Sequence, residues 1–281
     1  MSASKLIRHA NSIRAFRSFN STSKIFKTMS TSHMEFTAHK KRHSEMRPVR
    51  ITGIEQLSPT VKGFTMELIE RSTKHPYGSF LPGQWMDLYI PKIEQTGGYS
   101  MCSKPSKFEQ HGVLDLAIKY STWAPALWMH TQAQVNDELQ LRFGGDYHYP
   151  NVKIESNVQH RLVLLAGGIG INPLASIYFD VFEKNLPNVS THLLYSAKTK
   201  EELIFMKDFN SIADANPRFN VKYFTTMTGP RISVQDLLDA TDSTEPTYFF
   251  ICGPPDMIKS INKLLLQQGI PKNNIFYELW T

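Results

Sequence analysis

Cysteine is almost missing from this 281-residue chain, which carries only Cys102 and Cys252. Two thiols cannot supply the four thiolates of an iron–sulfur cluster or a four-cysteine zinc site, so any such centre belongs to another chain. A disulfide between the two is left open by the sequence. No metal ligand set is expected. Long apolar runs are also lacking: none approaches the roughly 20 residues that a membrane-spanning helix needs, and no membrane span is expected. Acidic residues are absent from the first 34 positions, which hold Lys5, Arg8, Arg14, Arg17, Lys24 and Lys27. Those six charges equal the whole formal net charge of +6. The remainder is balanced, so the basic excess gives no argument for nucleic-acid binding.

The same N-terminal segment is rich in serine, and Leu6, Ile7, Ile13, Phe16 and Phe19 suit one face of a helix. A basic, serine-rich, acid-free and amphipathic leader predicts a mitochondrial transit peptide over 1–34 and a mitochondrial, matrix location. A disordered basic tail would share that composition. Residues 35–46 read as a linker, with Lys40-Lys41-Arg42 as a solvated basic run.

From residue 47 the pattern changes to short alternating runs separated by turn residues. Strands are expected at 50–54, 61–68, 84–90, 98–102, 113–120 and 138–142, with one helix at 124–134. Pro82-Gly83 and Gly144-Gly145 mark turns. Six short strands with few helices predict a small antiparallel β-barrel over 47–157. Beyond about residue 158 strands and helices alternate. Strands at 161–166, 191–197, 219–226, 247–252 and 274–280 are separated by helical patterns at 173–184, 201–215, 233–240 and 255–268. That alternation predicts an α/β domain with a parallel sheet covered on both faces, and hence a two-domain protein.

The second domain opens on LVLLAGGIGINP, residues 162–173. Five apolar residues suit a strand buried on both faces. Gly167, Gly168 and Gly170 permit a tight turn and close approach of a ligand to the backbone. Ile169 and Ile171 lie within the turn; Asn172 is placed to cap the next helix and Pro173 to begin it. Free N–H groups at such a helix start suit a phosphate. The third glycine of the usual dinucleotide fingerprint is missing, because Pro173 takes its place. Ligands of a parallel sheet bind beyond the carboxyl ends of its strands. Two further stretches fall there: Ser196 and Lys198, suited to a ribose or its 2′-phosphate, and Cys252-Gly253-Pro254. On the barrel side, Tyr99, Ser100, Met101 and Ser103 set an aromatic ring and hydroxyls along one strand.

Taken in order, FLPGQ (80–84), YSMCSKP (99–105), LAGGIGINP (165–173), CGPPDM (252–257) and the acid-x-aromatic pair Glu278 and Trp280 resemble the ferredoxin–NADP(H) reductase superfamily. Within it the chain looks most like the oxidoreductase NAD-binding domain-containing proteins. The resemblance spans about residues 47–281 and implies a flavin-binding barrel followed by an NAD(P)-binding domain. It implies hydride transfer from NAD(P)H to FAD and onward electron transfer to an acceptor on a separate chain. It assigns Tyr99 to the flavin ring, Ser100 to its reactive edge and 167–170 to the pyrophosphate. Cys252 and Gly253 fall beside the nicotinamide, and Trp280 over the flavin's other face. Ser100, Cys252 and Glu278 then position rings and tune proton movement; none acts as a nucleophile. Gly97 stands where the family has an arginine that grips flavin phosphate, with Lys104 and Lys119 as candidate substitutes. The family's Gly-x-x-Ser at the barrel helix is replaced by Ser121-Thr122-Trp123-Ala124. Gly97 favours the alternative of a non-catalytic NAD(P)H- or flavin-binding sensor or assembly factor on a reductase scaffold.

Overall fold

Alternating sequence becomes alternating burial in the first sheet. In the computed structural model, which describes residues 33–70, 79–149, 154–155, 157–241 and 244–279, six antiparallel strands follow one another. They are β1 (Arg47–Ser58), β2 (Val61–Leu68), β3 (Trp85–Ile90), β4 (Gln95–Ser100), β5 (Val113–Lys119) and β6 (Glu138–Gly144). Along β6, Leu139, Leu141 and Phe143 point into the core while Glu138 and Gln140 are exposed, as a two-residue period requires. The strand order is β4-β3-β6-β1-β2-β5. A bridge between Met101 and Leu116 joins the two edges, so the sheet closes on itself. Ile51, Phe64, Met66, Leu88 and Leu116 fill the interior.

Ahead of the barrel lie a short helix, α1 (His33–Phe36), and a strap that ends at Arg42. The segment expected as a linker is instead packed on the barrel. Asp87 of β3 is fully buried, and a buried carboxylate must find donors. It accepts hydrogen bonds from His33 Nε2 at 2.7 Å, Arg42 Nε at 2.8 Å and Arg142 Nε at 2.7 Å. Arg42 also donates to the Thr37 carbonyl at 2.6 Å. The basic run expected to be solvated therefore contributes Arg42 to a buried cluster. Residues 1–32, and with them most of the expected transit peptide, lie outside the described residues.

Two further helices among the described residues belong to the barrel domain. The first, α2 (Pro105–His111), was not expected, although Pro105 at its first position and Gly112 closing it at φ 64° are ordinary start and stop signals. The second, α3 (Ala124–Thr131), occupies the expected run and ends three residues earlier.

The second sheet is parallel throughout: β7 (His160–Gly167), β8 (Val189–Ala197), β9 (Phe219–Thr225), β10 (Thr247–Cys252) and β11 (Ile275–Glu278), in the order β11-β10-β7-β8-β9. Leu162, Val163, Leu164, Leu165 and Ala166 are completely buried, as expected of a central strand covered on both faces. Helices α4 (Ile171–Lys184) and α5 (Met206–Ala215) pack on one face, α6 (Val234–Asp239) and α7 (Pro255–Gln267) on the other. The first eight residues of α4 are all buried, because this helix lies between the parallel sheet and the barrel. Val61, Cys102 and Ala117 of the barrel share one core with Ile171, Leu174 and Ala175. Both cysteines are free and buried, which closes the disulfide question. The chain runs outward from β7 through β8 to β9, then returns to β10 on the other side of β7. The crevice between the carboxyl ends of β7 and β10 is thus the topological switch point, where ligands of such sheets bind.

Candidate functional site

At that crevice two loops meet backbone to backbone. A Cβ on Gly170 would lie 2.3 Å from the Cys252 carbonyl oxygen and 2.7 Å from Gly253 N. One on Gly167 would lie 2.5 Å from Met257 Sδ and 2.7 Å from Pro254 Cδ. Gly168 differs: it has φ +55°, and nothing lies within 4 Å of where its Cβ would be. It faces open space. The tight turn Gly168–Gly170 runs directly into the 14-residue helix α4, whose first N–H groups and dipole favour an anion there.

That early start corrects two expectations. The helix begins at Ile171 with Gly170 as its N-cap, so Asn172 is its second residue and Pro173 its third. Asn172 caps nothing. Its Nδ2 donates to the Ala117 carbonyl of β5 at 2.6 Å, tying the helix to the barrel. Its Oδ1 is buried and has no partner among the described residues.

A cavity of about 450 Å3 opens between these loops and the barrel, within the size range of small-molecule sites. Residues 167–170, Asn172, Pro173, Cys252, Gly253 and Pro254 form one wall. Tyr99, Ser100, Lys119 and Trp123 stand on the barrel side. Tyr99 and Trp123 meet at a tilt, with centroids 6.0 Å apart. The Tyr99 hydroxyl is buried without a partner among the described residues, and burial raises its pKa, so it stays a neutral donor. Its ring lies back over Gly97, where a Cβ would come within 2.5 Å of Cε2. On the opposite face of the strand a Cβ on Gly98 would meet the His33 ring at 2.1 Å. Lys119 is held by Glu202 at 3.3 Å, and Glu202 also accepts from Thr60 at 2.7 Å and Ser58 at 3.1 Å.

Other predicted residues stand elsewhere. Met101 and Ile171 are core side chains. Ser103 is buried and its Oγ accepts from the Asp115 N–H at 3.0 Å, beside a different groove. Ser196 pairs with Gly167 along β8, and Lys198 is exposed and off the cavity wall. Glu278 pairs in register with Cys252 but faces a smaller cavity of about 200 Å3 that it shares with Tyr147, Thr37 and His39. Trp280 lies outside the described residues. Among the described residues no group of acidic, His or Cys side chains is arranged to hold a metal ion, and no helix is long and apolar enough to cross a membrane.

Tyr147 was missed. Its hydroxyl is buried without a partner among the described residues, and burial together with nearby Cys252 and Glu278 pushes its pKa well up. The only signal was an aromatic cluster, Tyr147-His148-Tyr149, following the Gly144-Gly145 turn.

Residues 164–263 match the model of the Oxidoreductase NAD-binding domain. Over 271 residues the chain is 34% identical to Oxidoreductase NAD-binding domain-containing protein 1 of Danio rerio, covering 89% of this chain and 97% of that protein. It is 26% identical over 237 residues to the toluate 1,2-dioxygenase electron transfer component of Pseudomonas putida, covering 81% of this chain and 66% of the relative. The flavohemoglobin of Malassezia yamatoensis, solved with bound FAD and heme, superposes with a TM-score of 0.69 at 19% identity, covering 88% of this chain and 63% of that one. At that identity the likeness is one of fold. An antiparallel barrel followed by a five-stranded parallel sheet is thus the ferredoxin–NADP(H) reductase-like fold, and the chain belongs to the Oxidoreductase NAD-binding domain-containing protein 1 family.

Proposed function

We propose that the protein is an NAD(P)H-dependent flavin oxidoreductase. The observation that carries this reading is that Ser100 and Cys252, supplied by two different sheets, line one cavity. The residues present fit both groups. The open cradle over Gly168 and the start of α4 suit a pyrophosphate. The Tyr99 and Trp123 rings, with the buried orphan atoms Tyr99 Oη and Asn172 Oδ1, suit a flat ring with a polar edge. When bound, FAD would supply the acceptor for a hydride from the nicotinamide. The chain's own work is to hold the two rings in contact and keep water out. Gly253 and Cys252 on one wall would hold the nicotinamide, and Ser100 on the barrel wall would offer a hydroxyl to the flavin. The electron transfer role named for the Pseudomonas putida relative supports onward transfer to a separate acceptor.

The full chain, mixed anaerobically with FAD and either NADH or NADPH, should bleach the flavin absorption band. Comparing the two nucleotides for wild type and Lys198→Ala tests whether Lys198 reads a 2′-phosphate. An unchanged NADPH/NADH ratio of kcat/KM removes it from that role. Gly97 favours a second reading, a nucleotide-binding sensor without turnover. Tight NAD(P)H binding with no flavin reduction would select it. Mitochondrial residence is part of the proposal and rests on the basic leader; import into isolated mitochondria followed by N-terminal sequencing tests it.

A further inference from the structure

We propose that flavin enters this site as an exchangeable substrate recognised by its ring system, so that riboflavin, FMN and FAD are accepted alike. The inference rests on the reading of the cavity as a flavin and nicotinamide site, and it names what the barrel half selects.

The two halves of the cavity are built for different chemistry. The nucleotide half has an anion site, the open cradle over Gly168 at the head of α4. Among the described residues the barrel half has none. Lys119 is the one cationic side chain among the described residues lining the cavity, and it is already engaged by Glu202, which two hydroxyls also hold in place. An arginine at position 97 cannot coexist with this arrangement, because the Tyr99 ring occupies the space its Cβ would need. Position 98 is closed from the other face by His33, itself fixed to Asp87. The start of α3 is a poor substitute: Trp123 stands at its N-cap without a side-chain acceptor, and Pro125 contributes no N–H.

What the barrel half does offer is suited to rings. Tyr99 and Trp123 present aromatic surface. Tyr99 Oη and Asn172 Oδ1, buried and without a partner among the described residues, provide one donor and one acceptor, which match the carbonyls and the imide N–H of an isoalloxazine edge. Those features are common to all three flavins. The reaction is then a two-substrate exchange. The nicotinamide C4–H bond breaks and a flavin N5–H bond forms, moving two electrons and one proton as hydride, while flavin N1 takes a second proton from solvent. NAD(P)+ and the reduced flavin leave, and the released flavin carries the electrons to the acceptor.

Titration calorimetry of the full chain with riboflavin, FMN and FAD, at low and high salt, tests the proposal. The expected dissociation constants agree within about threefold, do not change with salt, and are weak enough that gel filtration strips the flavin. Tyr99→Ala should weaken all three to the same degree. FAD binding tenfold or more tighter than riboflavin, flavin retained through gel filtration, or a salt dependence confined to FMN and FAD would each reveal a phosphate clamp and overturn the inference while leaving the flavin site intact. Failure of all three flavins to bind, with NAD(P)H still bound, would overturn the flavin site as well.

Discussion

Gly170 stands directly against the Cys252 carbonyl, with no room between them for a methyl group. The glycine turn of β7 and the turn after β10 are therefore one packed unit, and the glycine at 170 serves protein–protein contact before it serves any ligand. Gly170→Ala must push the two loops apart. Overpacking of this kind costs about 1–3 kcal/mol, so the variant should melt at a lower temperature and lose NAD(P)H affinity together. A variant that melts like wild type would show that the loops are not in contact.

Gly168 should behave in the opposite way. Alanine there meets no protein atom, and only its φ of +55° is unfavourable, a cost of about 1–2 kcal/mol. Its methyl would fill the cradle, however. Gly168→Ala should lose at least tenfold in NAD(P)H affinity with a modest drop in melting temperature. Unchanged affinity would move the phosphate site away from this turn.

The Asp87 cluster makes the strap from His33 to Arg42 part of the barrel. Burial alone would raise the Asp87 pKa, but hydrogen bonds from His33, Arg142 and Arg42 outweigh it and hold the carboxyl below its ordinary value. A depressed carboxylate contributes stability above its unfolded pKa, and that contribution is lost as pH falls through the lowered folded value. Asp87→Asn should cost about 3–5 kcal/mol at neutral pH and flatten the acid limb of the melting temperature against pH. An unaltered acid limb would detach the cluster from stability.

Both sheets were legible because their signals are local: a two-residue alternation for the barrel, a buried apolar run ending in glycines for β7. What failed to show depended on partners distant in sequence. Asn172 has the chemistry of a cap, and only the Ala117 carbonyl 55 positions earlier makes it a tie between helix and barrel. Arg42 sits in a run of basic residues, and only a buried Asp87 distinguishes it from Lys41. Glu278 pairs beside Cys252 as strand order implies, yet its side chain faces a separate cavity, because strand register fixes neighbours along the backbone and leaves the direction of each side chain to packing.

His192 gives a pH prediction in the parallel sheet. It lies opposite Val163 on β8, and burial, helped by Arg161, lowers its pKa from 6.5 to about 4. The folded protein thus resists protonating it while the unfolded chain does not. Its contribution is complete above about pH 6.5, falls as pH drops toward 4, and declines no further below that. His192→Gln should remove this part of the slope between pH 6.5 and 4. An identical slope in the variant would assign the pH dependence to other groups.

Tyr147 holds a buried hydroxyl without a partner among the described residues, while its ring packs edge-on against Phe250 with centroids 5.8 Å apart. The ring and the hydroxyl should therefore separate on mutation. Tyr147→Phe keeps the ring contact and removes an unsatisfied buried group, whose desolvation costs about 1–3 kcal/mol, so the melting temperature should hold or rise. Tyr147→Leu gives up the aromatic contact and should lower it. A clear loss of stability in Tyr147→Phe would show that the hydroxyl has a hydrogen-bond partner in the folded protein, and Glu278 and Cys252, which already act on its ionisation, would be the groups to test by double-mutant cycles.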